Sequence, residues 1–213
     1  MRPHRHPRLR RIVAWTATLL AAAACQDGFR SSPLGPSEEP PADLNIIALS
    51  TESAPPDLAA VSFYAHQGQR TRGVIRLADQ PGIARGREYL RLTIPKDALL
   101  TRPDGSPIAP GDSVLITIRV ADPTRILFEM EPEGLRFNPS SMPELRIRYD
   151  IAAGDLNHDG RRDAQDDSVE THLGIWRQPA PGSAFVRLES EVHRVDQEVR
   201  ANLPVFSRYA IAY

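Results

Sequence analysis

The sequence predicts an all-β fold, an antiparallel β-sandwich with at most one short helix. Short segments rich in β-branched and aromatic residues follow one another along residues 59–213. Turn-forming pairs such as Asp104-Gly105 and Pro110-Gly111 separate these segments. No long stretch shows the 3.6-residue period of an amphipathic helix. Many short strands with frequent turns favour a sandwich over a parallel α/β sheet.

Eight segments are predicted to be strands, and several alternate apolar with polar residues. They are AAVSFYA (59–65), GVIRL (73–77), YLRLTI (89–94), VLITIRV (114–120), ILFEM (126–130), ELRIRY (144–149), FVRLES (185–190) and FSRYAIAY (206–213). Within 114–120, Val114, Ile116, Ile118 and Val120 face one side of the sheet, and Leu115, Thr117 and Arg119 face the other. A single short helix is predicted at about 164–173.

The N-terminus has the pattern of an export signal. Five arginines and no acidic residue lie within residues 1–11, and the apolar run 12–24 follows. A basic region, a short apolar region and small residues before a cleavage site are typical of a secretory signal peptide. The apolar run is too short to span a bilayer comfortably. Residues 1–24 are therefore predicted to be a signal peptide.

Cys25 is the only cysteine, so an intrachain disulfide is excluded. The stretch Ala22-Ala23-Ala24-Cys25 resembles the lipobox of bacterial lipoproteins. This resemblance implies that Cys25 carries lipid, becomes the mature N-terminus and anchors the protein to a membrane of the cell envelope, facing the periplasm or the cell surface. The alternative is ordinary cleavage after an alanine motif, which leaves an unmodified cysteine.

Composition divides the rest of the chain into a tether and one domain. Residues 25–42 are rich in Pro, Ser, Gly and Glu and are predicted to be a flexible tether. Residues 43–213 then form the sandwich domain. Without the five leader arginines, 21 basic residues stand against 27 acidic ones, and residues 25–213 carry a formal charge of −6. This charge argues against a nucleic-acid-binding protein, which would show a basic stripe.

Residues 89–213 carry a series of short motifs. They are YLRLTIPKDALL, DSVLITIRV, EPEGLRFNPSSMPELRIRYD, LGIWRQ and VRANLPVFSRYAIAY. In this order they resemble the ZU-five type β-sandwich, the domain shared by zona-occludens protein, netrin receptors and ankyrins. Independently of the family, Gly134 allows a positive φ for a chain reversal, after which Leu135 and Phe137 are expected to point inward.

The resemblance also raises the question of self-cleavage. Some ZU-five type domains cleave themselves within His-Phe-Ser, and this chain has Phe206 and Ser207 but Val205 at the histidine position. Without a general base, a serine hydroxyl is a weak nucleophile at neutral pH. We therefore expect no catalytic residue, with Ser207 a polar residue in a closing edge strand. Self-cleavage at Phe206-Ser207 remains the enzymatic alternative.

Other side chains offer weaker functional signals. The histidines at 66, 158, 172 and 193 lack metal-ligand spacing and are expected to be scattered on the surface. Trp176 and Phe185 lie in strand-like apolar segments and are expected in the core. If exposed, they would form a carbohydrate-binding face, which is the binding-module alternative.

The stretch GDLNHDGRRDAQDD, residues 154–167, fits the template of a calcium-binding loop. With Asp155 as position 1, oxygen-bearing side chains occupy positions 1, 3 and 5, glycine occupies position 6 and a backbone carbonyl serves at position 7. The predicted ligands of one Ca²⁺ ion are Asp155, Asn157, Asp159, Arg161 (through its carbonyl), Asp163 and Asp166.

Two features separate this loop from complete EF-hands and dockerins. Aspartate at position 12 resembles dockerin loops, but a dockerin has two loops and this chain has one. The preceding LRIRYD is predicted to be a strand, so the entering helix of an EF-hand is missing. A calcium loop inserted in a sandwich is therefore expected, and the alternative is a hydrated turn of Asx motifs.

Overall fold

The computed structural model describes residues 44–78 and 86–213. The predicted signal peptide (1–24), Cys25 and the predicted tether (25–42) lie outside the described residues. Within the described ranges the chain forms antiparallel strands, one α-helix and one short 3₁₀ helix. The predicted all-β sandwich is confirmed.

Thirteen strands and two helical segments follow one another along the described part of the chain. The strands are β1 (Ala60–His66), β2 (Thr71–Arg76), β3 (Glu88–Ile94), β4 (Leu99–Thr101), β5 (Ser113–Asp122), β6 (Leu127–Glu131), β7 (Arg136–Phe137), β8 (Glu144–Arg148), β9 (Gly174–Gln178), β10 (Val186–Arg187), β11 (Ser190–His193), β12 (Glu198–Asn202) and β13 (Arg208–Ala212). The 3₁₀ helix spans Asp150–Ala152, and the α-helix α1 spans Ala164–His172.

Two main sheets form the sandwich. The first has six strands in the order β1-β5-β6-β13-β9-β10, and the second has five in the order β11-β12-β8-β3-β2. Strands β4 and β7 pair separately. The strand pairs within these sheets are antiparallel. The connection from β8 to β9 contains the 3₁₀ helix and α1.

The core lies between the two sheets and follows the alternation of the sequence. In β5, Val114, Ile116 and Ile118 are buried, whereas Leu115 and Arg119 are exposed, as predicted. Residues from the five-stranded sheet, such as Leu92 and Leu145, belong to the same hydrophobic cluster. The period of two places one row of apolar side chains from each sheet in the core, and burial of that apolar surface is the main stabilising term.

A β-bulge in the five-stranded sheet allows two consecutive residues to be buried. Ile75 pairs with Leu90, but Arg76 pairs with Glu88, so Tyr89 is the extra residue on its strand. Both Tyr89 and Leu90 are fully buried. The Tyr89 ring meets Phe128 of the other sheet edge to face, with 5.0 Å between ring centroids. The bulge thus adds an aromatic contact between the sheets.

The C-terminal strand lies in the middle of the six-stranded sheet. Strand β13 pairs with β6 on one side and with β9 on the other. The expectation that Ser207 belongs to a closing edge strand is therefore wrong, because Ser207 immediately precedes a central strand. Long-range pairing decides strand order, and the local sequence carries no signal for it.

Other sequence predictions are confirmed or corrected by the strand boundaries. Gly134 has a φ of 81° at the chain reversal, and Leu135 and Phe137 are buried with Arg136 exposed, as expected. The helix predicted at about 164–173 matches α1. The segment 185–190 is not one strand, because β10 contains only two residues and the next strand begins at Ser190. In the part of the chain described, no helix is long and apolar enough to cross a membrane.

The hydrogen bonding of two buried tyrosines predicts that replacing each by phenylalanine will affect stability differently. The Tyr89 hydroxyl is buried without a hydrogen-bond partner among the described residues, whereas the Tyr209 hydroxyl donates to the Val205 carbonyl. Removing an unsatisfied buried hydroxyl relieves a desolvation penalty, so Tyr89→Phe should leave the free energy of unfolding unchanged or raise it by about 1 kcal/mol. Tyr209→Phe should lower it by about 1 kcal/mol. Urea denaturation of both variants measures the contrast, and a clear loss in Tyr89→Phe would contradict it.

Candidate functional site

The acidic loop, residues 154–167, lies between the five-stranded sheet and α1. Strand β8 leads toward it, as expected, and a 3₁₀ helix that was not predicted, Asp150–Ala152, follows the strand. Helix α1 begins at Ala164 and leads out of it. The loop therefore has an exiting helix but no entering one.

The first half of the loop is shaped by side chains that accept hydrogen bonds from its own backbone. Asp155 Oδ2 accepts from the Gly160 N–H at 3.0 Å. Asn157 Oδ1 accepts from the Asp159 N–H at 3.0 Å, and Asp159 Oδ1 accepts from the Arg161 N–H at 2.9 Å. The bonds accepted by Asn157 and Asp159 are Asx turns, and the bond accepted by Asp155 spans five residues, so together they curl this part of the backbone.

Gly160, at position 6 of the template, has a φ of 83°. A side chain in this left-handed region is strained, so glycine suits the sharp turn here. His158 also has a positive φ, 60°. The loop therefore turns tightly at two places within three residues.

The second half of the loop is closed by Asp166, which is only 4 % exposed. Its Oδ1 accepts from the backbone N–H groups of Leu156 at 2.7 Å and Asn157 at 3.3 Å. Its Oδ2 accepts from the Asp163 N–H at 2.8 Å, and Asp163 in turn caps the helix by accepting from the Gln165 N–H. This reciprocal arrangement is a capping box. Asp166 thus joins the start of the loop to the start of α1.

The environment of Asp166 favours its ionised form. Burial by itself would raise the pKa of this carboxyl, but hydrogen bonds from the backbone of Asp163, Leu156 and Asn157 and the charge of Arg162 together hold the pKa below its ordinary value. Asp166 is therefore an ionised, buried side chain at neutral pH.

One oxygen in the loop has no partner. Asp155 Oδ1 is buried and accepts no hydrogen bond from any described residue. An unsatisfied buried carboxylate oxygen is energetically costly, and a cation next to it would remove that cost. The chemistry of the surrounding donors, all carboxylate, amide or carbonyl oxygens, fits Ca²⁺. The residues present therefore fit a calcium ion.

The predicted ligands are gathered in one loop but do not yet converge. Within the described ranges, no three Asp, Glu, His or Cys side chains are close enough together to hold a metal ion. Asp155, Asp159 and Asp166 each accept a backbone N–H with one oxygen, and the second oxygen of Asp159 accepts from the Asn157 side-chain amide at 3.3 Å. Calcium binding requires the side chains of Asp155, Asp159 and Asp163 to move closer together.

The acidic loop is attached to distant parts of the chain. His158 Nε2 accepts a hydrogen bond from the Ala48 N–H at 3.1 Å. Glu170 of α1 accepts from the Tyr149 hydroxyl at 2.6 Å and forms an ion pair with Arg194 at 2.6 Å. Burial, followed by the charges of Asp166 and Asp155, raises the pKa of Tyr213 near the C-terminus. Sequence reasoning missed these attachments, because the partners of His158 and Glu170 lie far away in the sequence.

Ser207 is constrained as an ordinary polar residue. It is buried, and its hydroxyl donates to the Gln178 carbonyl. The Phe206 carbonyl accepts from the Gly134 N–H at 3.2 Å. In the described residues no histidine forms a hydrogen bond with Ser207. The hydroxyl is therefore directed at a carbonyl oxygen instead of a base.

The remaining candidates differ in exposure. Trp176 is 7 % exposed, and its indole N–H donates to the Ala212 carbonyl at 3.1 Å, so its expected burial is confirmed. Phe185 is half-buried and lies outside the core cluster, which corrects the expectation for that residue. With Trp176 buried, its ring offers no open face on which a sugar could stack.

Comparison with known proteins adds no relative. The chain matches no family model, no curated protein and no solved structure. The resemblance to ZU-five type sandwiches, and that of the acidic loop to dockerin loops, therefore rests on the quoted sequence motifs.

The geometry of Asp166 predicts an acid-sensitive contribution to stability. In Asp166→Asn the amide N–H₂ would face the Asp163 N–H, so we expect a loss of about 1–3 kcal/mol in the free energy of unfolding at pH 7, measured in urea with a chelator. Because folding lowers the pKa of Asp166, its contribution is complete above the ordinary aspartate pKa of about 3.9 and disappears as the pH falls through the lower folded value.

The wild type should therefore lose more stability than Asp166→Asn between pH 6 and pH 3. Asp167→Asn is the matched control, since Asp167 is exposed in the same helical turn. If Asp166→Asn and Asp167→Asn unfold at the same urea concentration, Asp166 does not close the loop.

Proposed function

We propose that this protein is a non-enzymatic, membrane-anchored lipoprotein of the bacterial cell envelope whose β-sandwich is stabilised by one calcium ion in the acidic loop. Its role is structural or interactive, and its partner is a membrane contacted through the lipid on Cys25. The acidic loop supports the calcium site, and the N-terminal sequence pattern supports the location in the cell envelope.

The observation that carries the calcium assignment is the unpartnered, buried Oδ1 of Asp155. It lies at position 1 of a loop whose side chains at positions 3 and 5 form Asx turns with the following backbone. Asp155, Asn157, Asp159, the Arg161 carbonyl and Asp163 would hold the ion, and Asp166 would hold the loop closed or contribute its remaining lone pair. The bound ion would supply positive charge among four aspartates that otherwise repel one another.

The non-enzymatic assignment is supported by the surroundings of Ser207. Its hydroxyl donates to a carbonyl, and Val205 stands where a general base would be needed. The ZU-five resemblance is part of the same proposal and concerns the sandwich alone, since a fold of this kind does not specify a function.

Calcium should stabilise the folded domain measurably. A single loop with aspartate at position 12 is expected to bind with a dissociation constant of about 0.1 mM or weaker. At about 1 mM calcium, a 0.1 mM site stabilises the fold by about 1.4 kcal/mol. For a domain of this size the melting temperature should rise by about 3–5 °C. Magnesium should do less, because it demands octahedral geometry and gives up water reluctantly.

Two variants make the calcium experiment specific. Asp155→Asn keeps a hydrogen-bond acceptor for Gly160 but removes the charge, and it should abolish the calcium-induced shift while the domain stays folded. Asp167→Asn removes one negative charge at the end of the loop from a residue that is not a predicted ligand, and it should keep the shift. If the wild type has the same melting temperature in calcium and in chelator, and a calorimetric titration with calcium shows no heat, the loop is a hydrated turn and not a calcium site.

Lipidation of Cys25 and integrity of the C-terminus can be checked in one preparation. The exported protein should fractionate with membranes, because two or more acyl chains anchor stably where one is marginal. Its intact mass should include lipid on Cys25 and all residues through Tyr213. Cys25→Ser should move the protein to the soluble exported fraction. A soluble wild type would contradict the anchor, and loss of the peptide that begins at Ser207 would favour the self-cleaving alternative.

A further inference from the structure

The outer face of the six-stranded sheet contains an acidic cleft that the calcium loop does not involve. The cleft has a volume of about 430 Å³ and lies between strands β5, β6 and β13 and the segment 178–181. Its lining contains one basic residue, Arg208, and three acidic residues, Glu129, Glu131 and Glu133. The other lining residues include apolar side chains such as Leu115 and Pro132.

The charges of this acidic cleft are unbalanced. Three carboxylates and one guanidinium give the lining a net charge of −2. Glu129 is partly neutralised, since its Oε1 lies 3.5 Å from Arg208 Nε. Glu133 is exposed and forms no salt bridge with any described residue. Glu129 pairs with Arg208 and Glu131 with Arg119, so Glu133 is the one carboxylate of the cleft without a cationic partner in the described part of the chain.

The third carboxylate of the cleft, Glu131, forms a weak ion pair that a ligand can replace. Glu131 pairs with Arg119 across the strands at 3.4 Å, but both side chains are about half exposed, 51 % and 49 %. Exposed ion pairs of this kind contribute little to stability. A cation from a ligand can take the place of Arg119, so Glu131 and Glu133 together are available to a positively charged group.

Apolar surface lies beside the carboxylates. Leu115, which lines the cleft, is 50 % exposed, and Tyr64, its direct partner on β1, is 59 % exposed. Large apolar side chains exposed next to one another mark contact surfaces. They suit the aliphatic stems of lysine and arginine, which pack on apolar surface while the charged ends remain near carboxylates.

We propose that the acidic cleft binds an extended segment of a partner protein in which lysine or arginine alternates with apolar residues. The basic groups pair with Glu131 and Glu133, and the apolar residues cover Leu115 and Tyr64. Charge complementarity favours this occupant over a neutral glycan, which would leave the Glu133 carboxylate without a cationic partner. This inference is independent of calcium and of the lipid anchor.

A fluorescent eight-residue peptide in which arginine alternates with leucine tests the proposal by anisotropy on the complete domain. Binding should weaken as salt rises from 50 to 300 mM, because screening reduces the attraction between exposed charges. Replacing arginine by glutamate in the peptide should abolish binding. Glu131→Gln and Glu133→Gln should each weaken it by about two- to fivefold.

The matched control is Glu189→Gln with Glu191→Gln, which removes the same charge from the surface near β11. Equal weakening by this pair and by the Glu131/Glu133 pair would mean that only the overall charge attracts the peptide. That result, or no binding at 50 mM salt, would overturn the proposal. Displacement of the peptide by neutral maltohexaose would also overturn it in favour of a glycan site.

Discussion

The six-stranded sheet depends on the insertion of β13 between β6 and β9. All residues of this strand except the first are buried. Because a central strand supplies hydrogen bonds on both edges, the two halves of the sheet have no direct connection without it. The last residues of the chain must therefore be in place before the sandwich is complete.

The same strand also holds the N-terminal end of the domain. Asn45 and Tyr213 exchange backbone hydrogen bonds, and the Ile47 N–H donates to the Ile211 carbonyl at 3.0 Å. One residue later, Ala48 reaches His158 in the acidic loop. The start of the domain, its final strand and the acidic loop thus form one connected neighbourhood.

The acidic loop and the acidic cleft use carboxylates in opposite ways. In the loop, Asp155, Asp159, Asp163 and Asp166 each accept a backbone N–H, which shapes the chain and leaves one buried oxygen of Asp155 without a partner. In the cleft, Glu131 pairs with an exposed arginine and Glu129 with the partly buried Arg208. The first arrangement leaves a buried carboxylate oxygen without a partner, which a small ion would satisfy. The second suits a flexible basic ligand, because its partners are weakly held.

The sequence by itself determined the features that depend on neighbouring residues. Alternation set which side of β5 is buried, Gly134 and Gly160 set two tight turns, and the spacing of the acidic residues set the loop and the start of α1. Only the tertiary structure decided the features that depend on long-range pairing. These include the central place of β13, the bulge that buries Tyr89, and the contact of His158 with Ala48. The acidic cleft belongs with them, since Glu129 on β6 and Arg208 on β13 become neighbours only when the strands pair. Strand order is decided by the burial of whole faces, and no local pattern records it.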